Sequence, residues 1–382
     1  MSITERWTST LETLKSQGRY RSLRCSLGID FTSNDYLGYG SSRSRIRPVG
    51  DLERNRSGMA SRLLRGHHPI WDEVESALAA WHQAESILMM TSGYAANEGL
   101  ISTIIEPGDW VASDELNHAC IVDGLRMARA RRFSFRHNDL NHLEEGLKAE
   151  HQKRHEGREL FIITESLFSM DGDRAPLREI VELAERYSAY LIVDEAHATG
   201  CFGMKGSGIV DELGLRDRIL ASVHTGGKAL GVLGAYIACS ALLREFLINR
   251  CRHLIFTTAL PAIAGAWWLQ MLEQVQEDHE GRAKLRENFT FVRNSLAEWN
   301  LVCSGDQFII PVILGEDPKA VAVAQHLQNR GFDVRAIRPP SVPPGTARLR
   351  ISIHADHTKK QLQELCEALA EGITTHGITG SL

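Results

Sequence analysis

Tyr190-Leu191-Ile192-Val193-Asp194-Glu195-Ala196-His197-Ala198-Thr199-Gly200 is an apolar run that stops abruptly at a carboxylate. The run suits a strand buried on both faces of a parallel sheet, and open α/β sheets hold their ligands at the carboxyl ends of such strands. Further along, His224-Thr225-Gly226-Gly227-Lys228-Ala229-Leu230-Gly231 places a lysine among glycines after a second strand-like run. Small residues leave room for a ligand against the backbone. Ala229 and Leu230 are apolar, which partly desolvates the amine and strengthens it as nucleophile and base. A strand-end acid can keep a pyridine nitrogen protonated, and such a lysine can form a Schiff base. These are the two protein groups that pyridoxal 5'-phosphate needs most. His197, three residues beyond Asp194, can address a second edge of the same ring. Taken singly, the acid, the histidine and the lysine are ordinary; the combination is not. Gly226-Gly227-Lys228 is no P-loop, because Ala229 stands where that motif needs Ser or Thr.

The rest of the 382 residues frames this reading. A chain of that length buries a large core and divides into a main and a smaller domain. Its net charge of -5 gives no reason to expect nucleic acid as a partner. Seven scattered cysteines without a C-x-x-C pair fit reduced thiols, and Met1 to Thr10 has no apolar signal region, so the expected location is the cytoplasm. The longest uncharged run, Ala229 to Leu243, is too short to span a bilayer and carries Gly231 and Gly234. It reads as a glycine turn, a buried strand and the start of a helix. Arginines crowd the N-terminal part: Arg19, Arg21, Arg24, Arg43, Arg45, Arg47, Arg54, Arg56, Arg62 and Arg65. They form either a solvated basic face or a landing site for an anionic carrier such as coenzyme A or an acyl carrier protein.

Strand-like and helical patterns alternate through the middle of the chain, as βαβ units require. Strands are expected at Ser86–Thr91, Trp110–Ala112, Phe133–Phe135, Leu160–Glu165, Tyr190–Asp194, Ile219–Val223 and Ala235–Cys239. Helices are expected at Trp71–His82, Tyr94–Ile105, Cys120–Ala130, Leu140–Gln152 and Pro176–Tyr187, with Pro176 in the first turn. One long helical stretch, Pro261 to about Asn300, leads to a final domain of three strands and two helices. The expected fold is α/β: an N-terminal arm over 1–45, a large domain over 46–275 with a mostly parallel sheet sandwiched by helices, and a smaller α+β domain over 276–382.

Other stretches offer chemistry. Thr91-Ser92-Gly93-Tyr94 joins a strand to a helix, where free N–H groups bind phosphate or where a hydroxyl simply caps the helix. His118 opens another helix and is placed either to stack on a pyridine ring or to cap. Asp171-Gly172 in the loop Glu165 to Asp173 is a turn signal, and its acids lack the His or Cys partners of a metal site. Arg348 and Arg350 lie two apart in a strand and share a face. A buried arginine needs an anion, either a substrate carboxylate or an internal acid.

Together these stretches resemble the α-oxoamine synthases, a family of fold-type-I pyridoxal-phosphate enzymes. The matching pieces run from Ser33-Asn34-Asp35-Tyr36-Leu37-Gly38 through Ser169-Met170-Asp171-Gly172-Asp173 and the two motifs above to Arg350. The resemblance implies a cofactor bound through Lys228, with Asp194 at the ring nitrogen, His197 at the phenolic oxygen O3′, His118 stacked on the ring and Ser169 near O3′. It implies phosphate contacts from Gly93, Tyr94 and Thr225, and from Thr257 or Thr258 across a homodimer. It assigns the amino-acid carboxylate to Arg350 with Asn34 assisting, and an acyl-chain carboxylate to Arg21. Within the family, Phe256-Thr257-Thr258-Ala259-Leu260-Pro261 and Ala336-Ile337-Arg338-Pro339-Pro340-Ser341-Val342-Pro343 resemble the member that joins L-alanine to a pimeloyl thioester, on coenzyme A or on an acyl carrier protein, in biotin biosynthesis. The chain departs from the pattern in its short arm, in Trp71 where relatives carry His, and in the second glycine before Lys228.

Three other readings compete. Sister enzymes, glycine C-acetyltransferase or 5-aminolevulinate synthase, use glycine. A silent partner subunit would lack the lysine. A nicotinamide dehydrogenase would carry G-x-G-x-x-G after its first strand, and none is present.

Overall fold

The computed structural model describes residues 1–23, 25–153, 157–299, 301 and 305–376. Arg24, Asn300 and Cys303 lie outside the described residues. The chain forms two compact units: Asn34–Ser169 with Arg174–Arg282, and Met1–Ser33 with Met170–Asp173 and Ala283–Leu382.

The larger unit is built on seven strands: β1 (Ser86–Met90), β2 (Trp110–Asp114), β3 (Arg131–Phe135), β4 (Leu160–Glu165), β5 (Ala189–Asp194), β6 (Ala221–Thr225) and β7 (Ala235–Cys239). Their order across the sheet is β1-β7-β6-β5-β4-β2-β3. The run from β3 to β6 is parallel throughout. β7 is antiparallel to both neighbours. The apolar run of β5 explains its central place: Leu191, Ile192 and Val193 are buried, and each such side chain contributes about 1.5–3 kcal/mol on burial. On one face Leu100, Ile101, Ile121 and Leu125, from the helices Gly93–Ile104 and Ala119–Ala128, pack on Val111, Ile163, Ile192 and Val223 of the sheet. The helix Leu177–Arg186 buries Leu177, Ile180, Val181 and Ala184 and packs against β5.

Pro176 stands one place earlier than expected, as the residue capping this helix rather than inside it. The expected long helix after Pro261 is two, Ala262–Glu277 and His279–Glu298. Asp278 makes the break. Its Oδ1 accepts from the Gly281 N–H at 2.9 Å and so caps the second helix. Arg43 and Tyr39 hold the same carboxylate.

The smaller unit has a three-stranded antiparallel sheet of β8 (Ile309–Gly315), β9 (Arg335–Ile337) and β10 (Ala347–Ser352), with β10 central. The helix Lys359–Thr375 buries Leu362, Leu365 and Leu369. Ile29–Asp30 pairs in parallel with Phe332–Asp333. The N-terminal helix Ile3–Ser16 starts from a capping box of Ser2 and Glu5, yet buries none of its residues. Among the described residues, no helix is long and apolar enough to cross a membrane.

Candidate active site

Asp194 is the last residue of β5 and is 5% exposed. Two groups aim its carboxylate. Asn97 Nδ2 donates to Oδ2 at 2.7 Å, and the Ala196 N–H donates to Oδ1 at 2.8 Å. Asn97 stands on the helix Gly93–Ile104, which Ser92 caps by accepting from the Ala95 N–H at 3.2 Å. The Gly93 and Tyr94 N–H groups precede the first intrahelical bond, at the positive end of the helix dipole. A side chain at Gly93 would place its Cβ 2.5 Å from Thr225 Cγ2, so the helix start and the end of β6 touch. The two residues expected to share a phosphate are thus brought together.

Lys228 sits in the connection from β6 to β7. Gly226 N–H donates to Gly234 O at 2.9 Å and Val232 N–H to Gly226 O at 3.0 Å, closing this loop on itself. Lys228 Nζ lies 2.8 Å from His197 Nε2. His197 Nδ1 lies 2.7 Å from the Tyr36 hydroxyl, which also reaches Asn34 Oδ1 at 2.9 Å.

His118 caps the helix Ala119–Ala128 through Nδ1, which accepts from the Cys120 N–H at 3.2 Å. Burial holds its imidazole below the usual pKa; Asp194 opposes this and Lys228 adds to it. The His118 N–H donates to Glu165 Oε1 at 2.7 Å. Glu165 closes β4 as the register partner of Asp194. Burial, reinforced by Asp194, pushes its carboxyl well above the usual range. Ser169 is buried at the end of the loop that follows. Thr257 and Thr91 line a small cavity with Arg62 and Trp71, and Thr258 is exposed.

The smaller unit holds the remaining candidates. Arg348 Nη1 donates to Asp171 Oδ1 at 2.6 Å, so its anion is an internal acid. Gly172 turns the chain at a φ of 68°, and a Cβ there would meet Ile309 O at 2.0 Å, as the turn reading of Asp171-Gly172 requires. Arg350 is 8% exposed on β10 and donates to Ser352 Oγ at 2.9 Å. Arg21, Arg335 and Arg338 line a groove of about 670 Å³. Part of the basic N-terminal region is spent on internal pairs, Arg19 with Asp317 and, in the larger unit, Arg43 with Asp278 and Arg62 with Glu75.

Three residues escaped the sequence reading. Tyr36 lay inside a stretch already singled out and Asn97 inside the expected helix Tyr94–Ile105, both without a role. Glu165 was read only as the start of a turn-bearing loop, although two adjacent parallel strands ending in acids at the same level was a usable signal. The residues present fit pyridoxal phosphate. The lysine, a carboxylate held by two donors, a neutral-leaning histidine and a helix start too tight for a side chain lie close together, and among the described residues the buried Asn97 Oδ1 has no donor.

Residues 27–369 match the family model described as aminotransferase class I and II, and the fold is that of this pyridoxal-phosphate class. The 8-amino-7-oxononanoate synthase of Chlorobaculum parvum is 40% identical over an alignment of 390 residues, covering 97% of this chain and 99% of the relative. The chain belongs to the 8-amino-7-oxononanoate synthase family. Among solved structures, serine palmitoyltransferase from S. paucimobilis, which holds pyridoxal phosphate joined to myriocin, aligns with a TM-score of 0.88 at 26% identity, covering 99% of this chain and 100% of that one. The 8-amino-7-oxononanoate synthase of Francisella tularensis aligns with a TM-score of 0.76 at 27% identity, covering 91% and 98%.

Proposed function

We propose that the protein is a pyridoxal-phosphate-dependent acyltransferase of biotin biosynthesis. It condenses L-alanine with a pimeloyl thioester, giving 8-amino-7-oxononanoate, carbon dioxide and free thiol. The observation that carries this reading is the 2.8 Å approach of Lys228 Nζ to His197 Nε2, in a chain whose close relatives bear that enzyme's name. When bound, the cofactor supplies an electron sink for the charge left on the amino acid's Cα.

The residues divide the remaining work. Lys228 would hold the cofactor, and its Nζ would take and return the Cα proton. Asp194 holds a proton on the ring nitrogen, and Asn97 and the Ala196 N–H keep its carboxylate aimed. His118 would cover a ring face, Ser169 would serve the O3′ side, and the N–H groups of Gly93 and Tyr94, with Thr225, would hold the phosphate. Thr257 or Thr258 would reach the phosphate of the partner subunit, which makes a homodimer the working unit; its expected location is the cytoplasm. By the family resemblance, Arg350 would bind the alanine carboxylate, with Asn34 assisting. Arg21 takes the far carboxylate of the acyl chain, which coenzyme A or an acyl carrier protein delivers. Fixing both substrates in line makes the carbon–carbon step effectively intramolecular.

The test is a visible absorption scan with added pyridoxal phosphate, then L-alanine, then pimeloyl-CoA. A cofactor band that responds to L-alanine, with thiol release on adding pimeloyl-CoA, is expected. Response to glycine alone, with thiol released only from acetyl- or succinyl-CoA, would move the assignment to a sister enzyme. Absence of a band would remove the Lys228 role.

A further inference from the structure

Lys228, His197, Tyr36 and Asn34 form one chain of contacts, at 2.8, 2.7 and 2.9 Å in turn. All four belong to the larger unit, and Tyr36 is fully buried. A neutral imidazole carries one N–H and a phenol one O–H. When Tyr36 gives its proton to Asn34 Oδ1, its oxygen can only accept from His197. Nδ1 then carries the imidazole proton, and Nε2 offers a lone pair to an N–H of Lys228. When the hydroxyl instead turns to donate to Nδ1, the imidazole proton must sit on Nε2, which becomes a donor. Both states hold one proton on the ring and one on the hydroxyl, so the exchange needs no net acid or base.

We propose that Tyr36 is a positioning residue whose hydroxyl sets which nitrogen of His197 carries the proton: Nδ1 while Lys228 is a free amine, Nε2 when the cofactor's phenolic oxygen faces that nitrogen. This rests on the pyridoxal-phosphate reading of the site. It gives one histidine two duties, accepting from the amine and donating to an oxyanion, and assigns the choice between them to a buried hydroxyl behind it.

The experiment is a pH titration of the visible band of the holoenzyme and of its Tyr36→Phe variant. A donor to an oxyanion favours the deprotonated form, so losing its support raises the midpoint, by about one pH unit. In a His197→Asn background the same substitution shifts the midpoint by less than roughly 0.2 unit, which separates coupling through His197 from a packing role. Asp194, Glu165, His118 and Cys120, titratable groups in the same site as Lys228, are common to both proteins. A second measurement needs no Tyr36 variant. Nitrogen-15 spectra of histidine-labelled protein, with His197 assigned by its loss in His197→Asn, should show Nδ1–H without cofactor and Nε2–H with it. An unchanged midpoint in Tyr36→Phe, or one tautomer in both forms, would overturn the proposal. A holoenzyme with no visible band would overturn the cofactor reading first, and the proposal with it.

Discussion

Two donors, Asn97 Nδ2 and the Ala196 N–H, fix the Asp194 carboxylate, and the proposed role at the cofactor ring depends on that orientation. Replacing Asp194 by Ala should lower kcat by about a hundredfold or more, since the charge it places opposite the reacting ring is lost. Steady-state turnover with saturating cofactor checks this, and near-native turnover would remove the role. Asn97→Ala is the subtler experiment. A hydrogen bond to a charged group contributes about 1.5–3 kcal/mol, so turnover should fall roughly ten- to a hundredfold while the helix stays folded. Circular dichroism and turnover measured together separate that outcome from unfolding. The sequence made Asp194, His197 and Lys228 legible because strand ends and glycine loops leave local marks. It left Asn97 and Tyr36 mute, because their roles come from partners 97 and 161 residues away.

At the scale of elements, the loop between β6 and β7 separates two glycines that look alike in sequence. A Cβ on Gly226 would meet Trp268 Cζ2 at 2.4 Å and Val232 O at 2.6 Å. On Gly227 the nearest atom would be Val232 O at 3.9 Å, an ordinary contact. Gly226→Ala should therefore displace Lys228 and weaken cofactor retention by at least tenfold, whereas Gly227→Ala should retain cofactor near the native level. Spectrophotometric titration with pyridoxal phosphate compares them, and equal affinities would refute the packing argument. The reading of this loop as small-residue space for a ligand was incomplete: an indole from a distant helix takes up the room beside Gly226. The alternation of strands and helices was legible almost element by element, because one apolar run or one amphipathic period is a local property. The helix break at Asp278 was not, since its cap is one acid in a run of polar residues and its anchors, Arg43 and Tyr39, come from far upstream.

Across the larger unit, a buried polar network links the two halves of the cofactor motif. His224 meets Thr199 Oγ1 at 2.8 Å and Ser222 Oγ at 2.7 Å, and His82 joins Asp211 to the Tyr236 hydroxyl. Burial holds both imidazoles below their usual pKa, so protons taken up by the unfolded chain below about pH 6.5 destabilise the fold as pH falls. Glu195 works in the opposite sense. Burial raises its carboxyl to about 7, so the folded form gains a proton between pH 7 and the unfolded value near 4.5, and stability rises as pH falls through that window. In Glu195→Gln that gain disappears while the histidine effect stays. Relative to the variant, the wild type should gain about 2 kcal/mol between pH 7.5 and 5.5, measured by urea unfolding at both values. Parallel behaviour of the two proteins would show that Glu195 does not titrate in this window.

The antiparallel setting of β7 has a bearing on how the enzyme loads its cofactor. Because β6 and β7 form a hairpin, the turn that carries Lys228 is closed by bonds between residues close in sequence, not by a crossover helix that must dock first. Its seat is then assembled before the cofactor arrives, and association need not spend free energy on ordering it. In hydrogen–deuterium exchange, the amides of Gly226 and Val232 should already be slow in the empty protein, and little slower when it is loaded.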